Sequence, residues 1–428
     1  MAGVGLVATP GGPPVRVDLP GHPGLLTSTS TRIPGLIAAD DLQHRERIGS
    51  LKVSDAPARV AHLSRRFEQL HGARRWAYVL LALLTAAAVL AALVFRTSFA
   101  GRFCVAIAPA LLAVSMSLSL AGAARPAVIL PVLALGGIAL AGAISVPPRL
   151  IVYIGPAILL LFLVVLWAWP ETAGFSSIGP RPEEGGRFYG VNNLVETVLL
   201  TMALFSAAEL GLFSVLPIAA LALVTVGWSR TGADGGGLIV FAAAFAFLGL
   251  RLAGRITLRR LALAAVAGLG IVLAFIGADE LSGGHSHVTR AFEQGPGRWF
   301  GDIGHRLHLS GDQLASWNIA LVVAAGLAVL VWLAFRRPRF PALDALLLGI
   351  AVSLLVNDAP SDVVGAGSLS GLVLWAWAAT VYTRARALAG TDPGWDRPRG
   401  GRVRRRGNGP PTPRHGDRDG PDDADRKG

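Results

Sequence analysis

Apolar residues along this chain gather into long runs separated by short polar stretches. From residue 76 to 384 the runs repeatedly approach the roughly 18 residues that a helix needs to cross a bilayer. About eleven runs can be drawn, at 76–95, 103–121, 126–146, 150–169, 191–208, 212–228, 237–252, 261–276, 317–335, 343–356 and 369–381. The stretch Ala207-Ala208-Glu209-Leu210-Gly211 divides what would otherwise be one run spanning twice. The pattern predicts an all-α polytopic membrane helix bundle of about eleven transmembrane helices over residues 75–384. Residues 1–57 are rich in Gly, Pro, Ser and Thr and show no period. Over 59–75, Val60, Leu63, Phe67 and Leu70 recur at helical spacing, which predicts a short surface helix leading into the membrane, with lipid binding as the alternative. Residues 385–428 carry no apolar period and read as a disordered tail.

Composition agrees. Of 428 residues 53% are hydrophobic and 15% charged, against roughly 25% charged in a soluble domain. The net charge of +12 would suit nucleic-acid binding, but its placement points elsewhere, to a bilayer and no nucleic acid. Arg251, Arg255, Arg259 and Arg260 share one short loop, and Arg336, Arg337 and Arg339 another. Arg96, Arg102, Arg149 and the tail arginines Arg384, Arg386, Arg402, Arg404, Arg405 and Arg406 fall on the same side if every run spans once. Arginine-rich short loops are cytoplasmic, so the expected topology is N-terminus outside and C-terminus inside, in a multi-pass plasma-membrane protein. Val4–Ala8 is too short for the apolar region of a signal peptide. The single cysteine, Cys104, excludes a disulfide framework and a cysteine metal site within the chain.

This topology puts the elaborate loops on the outer face: 170–190, 229–236, 278–316 and 357–367. The first carries Gly185-Gly186-Arg187-Phe188-Tyr189-Gly190 and runs through Asn192 and Asn193 to Glu196. Its glycines allow backbone N–H groups to approach an anion, and Arg187 suits phosphate or carboxylate. Phe188 and Tyr189 fall at headgroup depth, where aromatics are common without a ligand. Asn193 and Glu196 share a helical face. Glu196 is a candidate proton carrier, cation ligand or general base, or a paired structural residue. Asp234 precedes Gly235-Gly236-Gly237 and fits a helix cap as well as a ligand. His287, with Thr289 and Arg290, fits acid–base or anion-binding work. Two histidines, His285 and His287, are too few for a metal site, which needs three or four ligands, and no metal or cofactor is expected. Asn357-Asp358 closes a run as a cap or a gate. Walker, dinucleotide and Gly-x-Ser-x-Gly motifs are absent.

Gly186-Arg187-Phe188-Tyr189-Gly190 with Asn193, Asp234-Gly235-Gly236-Gly237, Ser286-His287-Val288-Thr289-Arg290 and Asn357-Asp358 together resemble, in order, the motifs of an uncharacterised family of actinobacterial and Firmicute polytopic membrane proteins. Members of that family look like an extracytoplasmic domain of the alkaline-phosphatase superfamily followed by a multi-span membrane domain. The stretch from Gly24 to Leu36, and Asp40-Asp41-Leu42, is similar to the end of that ectodomain. The resemblance implies that residues 1–74 are an extracytoplasmic remnant of a phosphatase-like domain, without phosphatase activity of its own. It picks out Arg187, Tyr189, Asn193, Asp234, His287, Arg290 and Asp358. It implies a membrane protein of the bacterial cell envelope, with a separate phosphatase-like ectodomain as one partner.

Three functions follow. The first is an outward-facing site for an anionic, lipid-linked or phosphorylated ligand, as in an envelope-modifying transferase. There Glu196 and His287 would be catalytic, and Arg187, Tyr189, Asn193, Asp234, Arg290 and Asp358 would bind ligand. The second is a transporter or flippase of lipids or envelope precursors, in which Glu196 and Glu209 carry coupling ions or protons. The third is a non-catalytic scaffold for a phosphatase-like domain. The residues rank the enzyme slightly above the transporter.

Overall fold

The computed structural model describes residues 2–9, 13–184, 187–254, 256–281, 316–357 and 359–382. Within them every predicted apolar run is helical: α1 (Ala56–Phe95), α2 (Ser98–Leu120), α3 (Pro126–Ser145), α4 (Ile154–Ala168), α5 (Asn193–Leu210), α6 (Leu212–Gly227), α7 (Gly235–Leu252), α8 (Leu258–Leu281), α9 (Trp317–Phe335), α10 (Pro341–Val356) and α11 (Pro360–Trp377). Among the described residues 9 helices are long and apolar enough to cross a membrane, while α6 and α10 are shorter apolar helices. This is a helical bundle of membrane type. The break at Gly211 is real: the residue adopts φ +93° and ψ −176° between α5 and α6, a backbone conformation open essentially to glycine alone.

The all-α expectation fails for the N-terminal segment. Five strands, β1 (Ala2–Ala8), β2 (Val15–Pro20), β3 (Gly24–Ser28), β4 (Leu36–Ala38) and β5 (Ile48–Leu51), form a sheet. Its order is β2-β1-β3-β5, and β4 also pairs with β1. β1 and β2 run antiparallel, from Ala2 opposite Pro20 to Val7 opposite Val15; β4 runs parallel to β1. β1 is buried on both faces after its first residue, so it has no apolar–polar alternation to betray it.

The amphipathic segment also differs from expectation. It is continuous with the first apolar run, in a helix of 40 residues. At 1.5 Å per residue this is about 60 Å, twice the thickness of a hydrocarbon core. Asp55 caps it by accepting from the Ala58 N–H at 3.1 Å. The face of Val60, Leu63, Phe67 and Leu70 packs against Val4, Leu6 and Leu36 of the sheet and against Phe175. Phe67 and Phe175 stack with ring centroids 5.2 Å apart. The stripe expected on a surface helix, with lipid binding as its alternative, is thus covered by protein.

α5 is the axis of the bundle. Its apolar window is 83% buried by the rest of the chain, against 11% for α8. Polar groups on α5 therefore find partners in protein rather than in lipid. At its C-terminal end Glu209 Oε1 accepts from Trp377 Nε1 at 3.0 Å. Nearby, Arg251 and Arg339 both ion-pair with Asp344. Arg251 is thus a structural tie as well as a loop charge. Asp344→Ala should lower stability by about 2 kcal/mol, less than for a fully buried pair, because the two arginines keep 22% and 30% of their side-chain exposure. A thermal melt in detergent measures it.

Candidate functional site

The site is assembled at the sheet end of the bundle, where α5 and α7 begin and α10 ends. It rests on a buried loop. Residues 172–180, between α4 and α5, are buried throughout, and a buried loop must have its backbone groups satisfied by side chains. Arg74 of α1 does this: it ion-pairs with Glu183 and donates to the carbonyls of Gly174 and Ser176. Tyr78 Oη donates to the Gly179 carbonyl at 2.8 Å. Ser115 of α2 meets the hydroxyls of Ser176 and Ser177 at 2.8 and 2.9 Å. Asn192 then caps α5, its Oδ1 accepting from the Val195 N–H at 3.0 Å. Its Nδ2 donates to Tyr78 Oη and to the Gly179 carbonyl.

The next layer is a pair of turns in backbone contact. Gly190, at φ +79°, lies flat against Gly232, and the Val191 N–H donates to the Gly232 carbonyl at 3.3 Å. The turn at 228–234 is closed by bonds from the Thr231 and Ala233 N–H groups to the Trp228 carbonyl. Asp279 of α8 accepts from the Ser229 hydroxyl at 2.8 Å and holds the turn from outside. Asp234 follows and caps α7, with Oδ1 accepting from the Gly237 N–H at 3.0 Å.

The functional groups converge above these turns. Arg187 Nη1 donates to Asp234 Oδ2 at 2.7 Å and also to the Val191 carbonyl. Glu196, one turn into α5 and 2% exposed, lies beside Asp234. A Cβ on Gly237 would meet the Glu196 carboxyl carbon at 3.1 Å and that of Asp234 at 3.2 Å. A Cβ on Gly236 would meet Asn357 Oδ1 at 2.3 Å. The glycines after Asp234 are there because two carboxyl groups and an amide crowd onto the first turn of α7. Asn357, at the end of α10, donates weakly to Glu196 Oε2 at 3.5 Å and more closely to Ser353 Oγ at 2.7 Å.

Of the sequence-predicted residues, Arg187, Glu196 and Asp234 meet at one point. Asp234 is both cap and ligand to Arg187, so the two readings of it hold together. Asn193 starts α5 and is buried, whereas its neighbour Asn192 has the clear structural duty. Tyr189 packs under Arg32, whose guanidinium carbon is 3.9 Å from the ring centroid, and so joins the loop to the sheet. His287, Arg290 and Asp358 lie outside the described residues, as do His285 and Gly185-Gly186. Sequence reasoning missed Arg74, Tyr78, Ser115 and Glu183. The one available signal was an arginine and a tyrosine on α1 just at the start of an apolar run.

Chemically, the cluster offers two adjacent carboxyl groups, one guanidinium already bound to a carboxylate, and the oxygens of Asn357 and Ser353. That set suits a proton or a small hard cation. Among the described residues no group of three or more His, Cys, Asp and Glu is placed to hold a metal. Comparison with protein-family models, with curated proteins and with solved structures finds no match.

Proposed function

We propose that this chain is a transport protein of the bacterial cell envelope in which the Glu196–Asp234 carboxyl pair takes up and releases a proton as substrate crosses the plasma membrane. The observation that carries the reading is the position of Glu196, buried on the central helix against a second carboxyl group. Ionisable groups at that depth are costly, and where they persist they mark ion or proton paths. Arg187 compensates Asp234, and Asn357 and Ser353 supply the polar surroundings of Glu196. The arginine bias of the opposite loops supports a site that faces outward, with lipids or envelope precursors as the substrate class. The sheet of residues 2–51, packed at the same end, fits the resemblance to a phosphatase-like extracytoplasmic domain.

A specific observation favours a second reading. Arg187 keeps 35% of its side-chain exposure, which suits the mouth of a site for an anionic lipid-linked or phosphorylated ligand. Glu196 would then serve as acid or base in a transferase, with His287, Arg290 and Asp358 as further candidates.

The test is proton flux. In liposomes made from bacterial envelope lipid, which supplies the substrate, and holding a pH-sensitive dye, a potassium diffusion potential should drive proton entry through the wild-type protein, and Glu196→Gln should reduce entry to the leak of protein-free vesicles. Equal flux in wild type and variant overturns the transport reading. Chemical change of an envelope lipid without its crossing, lost in the same variant, selects the transferase instead.

A further inference from the structure

A second cluster lies apart from Glu196. Where the first half of α1 meets the turn between α2 and α3, a cleft of about 380 Å3 is lined by His62, Arg65, Arg66, Gln69 and Arg125, with residues 122–124 of the turn and Val128. None of its lining residues is acidic. Glu171 attracts Arg66 but does not line the cleft. Three arginines in one hollow repel one another unless an anion joins them.

Arg66 is already posed for one. Its guanidinium lies over the Phe175 ring at 3.8 Å, and Nη2 donates to the Ser119 carbonyl at 3.3 Å. Its Nε is buried and has no hydrogen-bond partner among the described residues. A stacked, tethered guanidinium that lines the cleft is pre-organised for a phosphate oxygen. Arg65 and Arg125 are exposed at the rim, and Arg125 is the first residue before α3. These arginines sit at the sheet end, away from the loops of Arg251 and Arg336 whose charge the inward bias explains.

The depth identifies the ligand further. Directly below Arg125, Val128, Val132 and Leu135 follow at helical spacing and are 47%, 43% and 70% exposed. A charged rim above an apolar stripe matches a headgroup above its acyl chains. We propose that this cleft binds the phosphate of an anionic headgroup, with Arg66 as the inner ligand and Arg65 and Arg125 closing over it.

The full chain in detergent is titrated with dioctanoyl phosphatidylglycerol and, separately, with inorganic phosphate, and binding is read by calorimetry. The variant Arg65→Gln/Arg125→Gln alters exposed side chains only, and an unchanged melting temperature confirms that it folds. The wild type should bind, and the variant should bind at least about tenfold more weakly, as loss of charge-assisted hydrogen bonds implies. Tighter binding of the lipid than of phosphate identifies a membrane lipid; equal binding identifies a soluble phosphate. No binding of either probe, or binding unchanged in the variant, overturns the proposal.

Discussion

Arg74→Met should destabilise the protein by about 3–5 kcal/mol, the range for removing one partner of a buried ion pair. Arg74 and Glu183 are 2% and 3% exposed, so the Glu183 carboxylate would be left in a dry environment. The substitution also strips donors from the carbonyls of Gly174 and Ser176, which belong to a loop with little water to replace them. Adding Glu183→Leu should recover part of the loss, because the lone charge is gone, but not all of it, because the carbonyls stay unserved. Thermal denaturation in detergent gives the magnitude, and limited proteolysis between α4 and α5 gives the place. A fall in stability below about 1 kcal/mol, the level of an exposed pair, would show that water reaches this loop.

Gly190→Ala is expected to be nearly as harmful, and for a different reason. The added Cβ would stand 1.9 Å from the Gly232 carbonyl oxygen and 2.7 Å from its carbon, with φ at +79°. Backbone meets backbone there, and no side chain can rotate away. Left-handed backbone costs an alanine about 1–2 kcal/mol and forced overpacking a further 1–3 kcal/mol. Gly211→Ala is the internal control. It shares a positive φ, at +93°, with ψ at −176°, a region essentially reserved for glycine, but its Cβ would meet nothing within 4 Å, so it should lose about 1–3 kcal/mol to backbone strain alone. The two variants should also separate in function. Gly190→Ala pushes the Arg187 loop off Asp234 and should abolish proton flux, while Gly211→Ala should retain it. Equal melting temperatures for the two would mean that the 190 and 232 turns are not packed as described.

Both predictions concern contacts that local pattern could not disclose. The apolar runs were legible because a helix in lipid must be apolar over its own length, whatever its neighbours do. The cap at Asp234, the break at Gly211 and the amphipathic stripe from Val60 to Leu70 were legible on the same footing. What covers that stripe was not. A lipid surface and the underside of a sheet ask for the same residues, and β1, buried on both faces, lacks the alternation that announces a strand. Arg74 and Glu183 lie 109 residues apart, and Glu196 and Asn357 161 apart, so nothing in either neighbourhood marks the pairing. The sequence ranked Asn193 above Asn192, and the helix start that falls between them gives the capping role to Asn192 instead.

The opening motif divides along the same line. Its glycines, its arginine and the carboxylate one turn below were readable as candidates from residue type and membrane depth alone. That Gly190 serves a backbone contact with Gly232, that Arg187 is bound to Asp234, and that Glu196 faces a second carboxyl group all depend on how α5, α7 and α10 pack. Local sequence carries what each segment needs from its solvent. Which charge is compensated, and by which partner, is a property of segments brought together from distant parts of the chain.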